Sequence, residues 1–393
     1  MGNAASHDAP EFLVVGAGLT GAVLARSLAE AGCRCEVWEE SAQVGGHCAT
    51  VRDAKTGILV HKHGPHTLHT DDETIWAFVE RFATIHPYRH LKRARVGGEL
   101  FPSPINLQTI NQFFRTALGP KEAAALIAAE AAPHTKTSAP PANFEEAGLS
   151  RVGKRLYDAF YRGYTIKQWG IEPRELPASV FGRVPVRFDF SENYFHHTRQ
   201  GQPVGGYSQL TAKILEHHNI HLRLNASFNL SDVANERRHI FYTGPLDRYF
   251  DFRFGRLPYR TLRFEHERGV GFKQGCAVIN YCDESVSYTR VTEHKYFSGW
   301  ERNEATLVTH EHSYDCGPND PPYYPLRVTG DRKRLDEYVA AARRERCVSF
   351  LGRLGTYRYI DMDVAIREAL SAATTTLSAL KSGISPPPFF IEP

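Results

Sequence analysis

The chain has 393 residues, 42% of them hydrophobic and 23% charged, a length that predicts two or three structural units rather than one core. Its 47 Lys and Arg against 44 Asp and Glu leave a net charge of +3, which excludes the strong basic field of a nucleic-acid binder. No apolar run reaches membrane-spanning length, so neither nucleic acid nor a membrane is expected as a partner.

The most informative segment comes first. The apolar run Phe12-Leu13-Val14-Val15 ends in Gly16-Ala17-Gly18-Leu19-Thr20-Gly21. A helical pattern through Ala22, Leu24, Ala25 and Leu28 follows, and a second run, Cys35 to Trp38, delivers Glu39. This is strand, glycine turn, helix, strand, acid. Gly16 permits the tight turn, Gly18 lets a pyrophosphate approach the backbone, and Gly21 lets helix and strand pack closely. The helix N-terminus at Leu19 and Thr20 offers free N–H groups to the anion, and Glu39 suits a ribose hydroxyl. Read alone, the same pattern also fits an ordinary glycine-rich turn. A second glycine pair, Gly45-Gly46, follows the acid and can cover the pyrophosphate from the other side. That resembles amine-oxidase-like FAD proteins more than NAD dehydrogenases, so FAD is the expected cofactor.

Further along, Arg89, Lys92, Arg93 and Arg95 read as a solvated basic face. Residues 107–165 are largely helical in pattern. Ile240 to Pro245 reads as a strand ending in a turn, and 257–315 holds alternating runs suited to an antiparallel sheet. Asp361 or Asp363 is a plausible N-cap for the last helix. From Ser382, with Pro386-Pro387-Pro388, the chain reads as a loose extension. The seven cysteines are odd in number and lack metal-ligand spacing, so reduced thiols, no metal and a cytoplasmic location are expected. Met1-Gly2-Asn3-Ala4-Ala5-Ser6 fits an acylation pattern that nothing else in the chain supports.

Longer blocks narrow the reading. These include His61 to Thr70, Gly163 to Gly170, Arg183 to Phe188, Pro203 to Tyr207, Tyr242 to Pro245, Tyr288 to Arg290, Tyr323 to Pro325 and Gly352 to Met362. In order and spacing they resemble the bacterial-type UDP-galactopyranose mutases over residues 12–370. The resemblance implies an isomerase that interconverts the pyranose and furanose forms of a nucleotide-activated hexose. It also implies a covalent sugar adduct on reduced FAD, with no net redox. UDP-galactose is the default substrate. A GDP-, dTDP- or N-acetylated hexose, an amine-oxidase-type flavoenzyme, and a non-catalytic nucleotide-sugar binder remain as alternatives. A homodimer is compatible with the resemblance.

The site residues follow from the same match. Arg183 and Arg290 correspond to the family's two diphosphate-binding arginines, Arg183 within a mobile lid. Tyr194, Tyr324 and Tyr359 correspond to tyrosines that hold the diphosphate. Phe160 and Tyr161 fall near the nucleotide base, and Tyr164, Thr165 and Trp169 line the sugar and lid side. His66 and His69 correspond to histidines beside the flavin. Arg353, Asp361 and Met362 form a second FAD-contacting block. The chain departs from the family at His47 and His90, each in place of Asn, at Pro65 in place of Ala, and at Arg199 in place of Tyr. These departures are expected near the sugar and flavin rather than the phosphates.

The fold class expected is α/β, with a Rossmann-like FAD-binding domain, an inserted helical domain and an antiparallel β-sheet domain. A flexible N-terminus is assigned to 1–10, the first part of the dinucleotide domain to 11–106, and a mainly helical substrate domain with a lid to 107–180. Sheet and returning dinucleotide-domain segments take 181–239, a strand and turn 240–256, and the antiparallel sheet domain 257–325. The C-terminal part of the dinucleotide domain takes 326–372, and a tail 373–393.

Overall fold

The computed structural model describes residues 11–135, 139–181, 185–229, 231, 236, 238–327 and 332–393. The acylation pattern at the N-terminus and the arginine at 183 therefore lie outside the described residues.

Five parallel strands form the first sheet, in the order Ile220–Leu224, Cys35–Glu39, Phe12–Val15, His239–Tyr242 and Val348–Phe350. Phe12–Val15 is apolar throughout because both its faces are covered. Phe12 and Val14 pack under the helices Leu19–Glu30 and Met362–Lys381, while Leu13 and Val15 face the helix Arg332–Ala342. Strand order reverses on either side of Phe12–Val15, and a crevice opens at the carboxyl ends of the strands at such a point.

The second sheet has seven strands, in the order Tyr324–Pro325, Tyr259–Val270, Ala305–Asp315, Arg290–Glu293, Val278–Tyr281, Lys92–Val96 and Glu99–Ser103. All pairs are antiparallel except Val278–Tyr281 with Lys92–Val96. Residues 92–103 thus belong to this sheet and not to the dinucleotide unit, to which their place in the chain had assigned them. Period-two alternation explains it: Lys92 and Ala94 face the buried side, and Arg93 turns away to pair with Glu192 at 3.0 Å. The basic run is therefore not one solvated face. Helices Leu107–Phe114, Pro120–Ala131, Phe144–Tyr157, Gly163–Trp169 and Ala178–Phe181 build the third layer. A π-helical turn, Asp158–Arg162, interrupts it.

The C-terminal tail is not loose. The last helix continues to Lys381, and the Phe350 N–H donates to the Pro388 carbonyl at 2.7 Å. Ser349 Oγ donates to the Pro387 carbonyl at 2.6 Å, and Phe389 is buried against Phe350. The prolines lack N–H donors but not carbonyls, so the segment can still accept hydrogen bonds from the sheet edge.

A line of neutral histidines runs through the interior, from His66 to His61 on the short strand Leu59–His61 and on to His294 just after Arg290–Glu293. The His66 N–H donates to His61 Nδ1 at 3.1 Å and the His61 N–H donates to His294 Nδ1 at 3.3 Å. A ring nitrogen that accepts cannot carry a proton, and burial acts in the same direction. The pKa values of His61, His66 and His294 are each lowered to about 3, chiefly by burial. Because these values are depressed on folding, the stability they contribute is complete above the unfolded-state value near 6.5. It declines as pH falls from there toward 3. At pH 5.5 each histidine is expected to cost about 1.4 kcal/mol, roughly 4 kcal/mol for the three. Thermal melts between pH 7.5 and 5.5 should show Tm falling steeply, and a flat profile would contradict it.

Candidate active site

One cavity of about 1390 Å³ runs from the crevice of the parallel sheet to the helical layer. At its first end two glycine turns touch. The Gly45 N–H donates to the Ala17 carbonyl at 2.9 Å, and Gly18 bridges Gly45. A Cβ on Gly46 would meet the Gly18 Cα at 3.1 Å, and one on Gly16 would strike Thr243 Oγ1 at 2.1 Å. Only glycines let the two backbones form so open a cradle. Leu19 and Thr20 line it at the helix start, whereas Gly21 packs away from the cavity against the Gly16 carbonyl. Glu39 lies at the end of its strand, accepting the Ala17 N–H at 2.8 Å and the Ser41 hydroxyl at 2.6 Å.

Above the cradle, Arg353, Asp361 and Met362 line the cavity. The Arg353 guanidinium lies over the rings of Tyr359, at 4.4 Å, and Tyr324, at 5.1 Å. Its Nε and Nη2 are buried without hydrogen-bond partners among the described residues. Together, the cradle and these unpaired donors fit the phosphates and ring of a dinucleotide. His47 sits beside Gly46, 5.0 Å from the Tyr323 ring, and burial and Arg353 hold its pKa well down. His66 Nδ1 donates to the Gly64 carbonyl at 2.8 Å, and His69 stacks on Phe195 at 3.6 Å with its Nδ1 2.9 Å from that of His197.

At the other end the sheet supplies the charge. Arg290 projects into the cavity with its side chain 14% exposed, its Nε donating to Glu311 Oε2 at 2.8 Å. Its Nη2 comes within 3.5 Å of the Tyr324 hydroxyl. Glu311 fixes the guanidinium plane while leaving the other nitrogens for a ligand. Trp169 meets Tyr324 edge-on at 6.2 Å, and Tyr324 meets Tyr359 at 5.5 Å. Phe160 and Tyr161 come from the π-helical turn, with Tyr164 and Thr165 one turn on. All four line the cavity, and the Tyr161 hydroxyl is buried without a partner among the described residues. His90 and Tyr194 meet edge-on at 5.7 Å, and the His90 pKa is held down by burial and then by Lys92.

Every site residue expected from the sequence and described in the structure lines this cavity, apart from Gly21. Of the departures, His47, His90 and Pro65 line it too, but Arg199 does not. Arg199 pairs with Glu73 at 2.8 Å on the surface, outside the cavity. Glu311, Asn280 and Lys92 were missed as site residues. For Lys92 the alternation with Ala94 was the available signal.

Comparison with known proteins agrees with this geometry. Residues 159–359 match the family model described as UDP-galactopyranose mutase, and residues 14–82 match a NAD(P)-binding Rossmann-like domain. The chain is 46% identical, over 97% of its length and 98% of the relative's, to a Klebsiella pneumoniae protein named "Probable UDP-galactopyranose mutase". It is 44% identical to the dTDP-fucopyranose mutase of Escherichia coli, over 92% and 97% of the two chains. A crystal structure of reduced UDP-galactopyranose mutase superposes with a TM-score of 0.74 at 16% identity, covering 94% and 96% of the two chains. Among the described residues no helix is long and apolar enough to cross a membrane. The sequence matches, over nearly the full length of both relatives, place the chain in the UDP-galactopyranose mutase family of isomerases.

Proposed function

We propose that this chain interconverts the pyranose and furanose forms of a nucleotide-activated hexose, UDP-galactose by default, with reduced FAD as cofactor. The observation that carries the reading is Arg290, held by Glu311 and facing the glycine cradle across one cavity. FAD would be held by the Gly16–Gly21 turn, Glu39, Gly45, Gly46, Arg353 and the start of the last helix. When bound and reduced, it supplies a nucleophilic ring nitrogen for the anomeric carbon.

The chain's own residues do the rest. Arg290, joined by Arg183, balances the charge that builds on the diphosphate as its bond to the sugar breaks. Tyr194, Tyr324 and Tyr359 donate hydroxyls to the same oxygens. Phe160 and Tyr161 flank the base. Tyr164, Thr165, Trp169 and His90 hold the sugar against the flavin, since misplacement by about an ångström costs on the order of a hundredfold. His66 and the buried His69, both lining the cavity, shape the flavin's surroundings. An amine oxidase would have no use for a buried guanidinium aimed at a diphosphate.

A second substrate reading has support of its own: the 44% identical relative is a dTDP-fucopyranose mutase. A panel of UDP-, dTDP- and GDP-hexoses, incubated with the reduced holoenzyme and followed by NMR, separates the two. Furanose product from UDP-galactose is expected. Product only from dTDP-sugars would move the assignment to the second reading, and none from any sugar would remove both.

A further inference from the structure

One wall of the cavity holds a cation that the two-arginine clamp does not use. Lys92 is 7% exposed and lines the cavity. Its ammonium stands 3.8 Å from the centroid of the Tyr194 ring, and among the described residues it has no hydrogen-bonded or carboxylate partner. Strand register places it. Ala94 pairs with Asn280, Asn280 with Arg290, and Arg290 with Glu311. Residues opposite one another, and those two apart on a strand, share a face, so Lys92, Asn280 and Arg290 project together. Asn280 Oδ1, between them, is buried and has no hydrogen-bond partner among the described residues. A buried ammonium is costly unless something of opposite charge meets it. The nearby carboxylate, Glu311, already gives one oxygen to Arg290.

We propose that Lys92 is a further substrate-binding residue, its ammonium meeting the diphosphate bridge of the nucleotide sugar from the wall beside Arg290. This rests on the nucleotide-sugar reading above. The groups facing Lys92 are Arg290 and Glu311 across the sheet, Tyr194, and His90 on its own segment. Burial, then Arg290, lowers the Lys92 pKa to about 7, while His90 stays neutral and Arg290 stays charged through that range. The ammonium is therefore mostly present at pH 6 and mostly lost by pH 8, whereas a diphosphate diester does not titrate there.

Calorimetric titration of the oxidised holoenzyme with UDP and with UDP-galactose tests this. Lys92→Met keeps the side chain's length and should leave Tm unchanged or higher. It is expected to weaken both ligands by roughly tenfold to a hundredfold, with Lys92→Arg recovering most of the loss. Wild-type affinity for UDP-galactose should fall about tenfold from pH 6 to 8, and that of Lys92→Arg should not. Unchanged binding by Lys92→Met overturns the proposal. So does a loss confined to UDP-galactose, which would place the contact on the sugar. A wild type that binds neither ligand overturns the nucleotide-sugar reading and the Lys92 proposal with it.

Discussion

Replacing Arg290 by alanine is expected to lower turnover by about a hundredfold to a thousandfold, the range for removing a preorganised charge stabiliser. The same substitution should lower Tm, because it strands Glu311, whose side chain is 2% exposed, without its partner. A broken buried pair costs about 3–5 kcal/mol, so the single variant confounds catalysis with stability. From the sequence alone, the expectation is loss of turnover with the fold intact. The Glu311 contact adds a stability cost to that expectation. The double variant Arg290→Ala with Glu311→Gln removes the ambiguity: it should regain most of the lost Tm and none of the lost turnover. Arg290→Lys keeps the charge but loses the planar fork, so its loss should be smaller, about tenfold to a hundredfold. Near wild-type turnover in the double variant would dismiss Arg290 from the clamp. Arg183→Ala is expected to cost a factor comparable to Arg290→Ala.

The second large effect is redox dependence without redox turnover. Dithionite-reduced holoenzyme should isomerise its sugar, while oxidised holoenzyme and flavin-free protein should not. Equal rates in all three would exclude the proposed chemistry. Arg353 gives this a structural handle. Its guanidinium, with Nε and Nη2 buried and lining the same cavity as the start of the last helix, would favour an anionic reduced flavin bound there. Arg353→Met should therefore lower the flavin midpoint potential, by about 30 mV for each 1.4 kcal/mol lost. A potential unchanged or raised would place Arg353 away from the ring.

The dinucleotide unit was readable because each part obeys a local rule. Two-sided burial makes Phe12–Val15 continuously apolar, and the backbone crossing of Gly18 and Gly46 leaves little room for a side chain at Gly46. Arg290 came from the family blocks, not from any local rule. Its support could not be read, because Glu311 lies 21 residues away and meets it only through strand register. Lys92 was misread for a related reason. A run of four basic residues resembles a solvated face until strand alternation divides it, and only the neighbouring strands show which half is inside. Arg199 failed in the opposite sense, since a family position does not say which way a residue at the start of a strand turns. The tail misled because proline richness hides carbonyls that can still be used by a sheet edge.

The account's central claim is that the bond between the anomeric carbon and the diphosphate breaks during isomerisation while fixed cations hold the departing group. UDP-galactose with oxygen-18 in that bridging position reports on it directly. Incubated with the reduced enzyme, the label should spread into the non-bridging positions of the β-phosphate at a rate at least comparable with isomerisation. Furanose product that forms with the label still wholly in the bridge would contradict it.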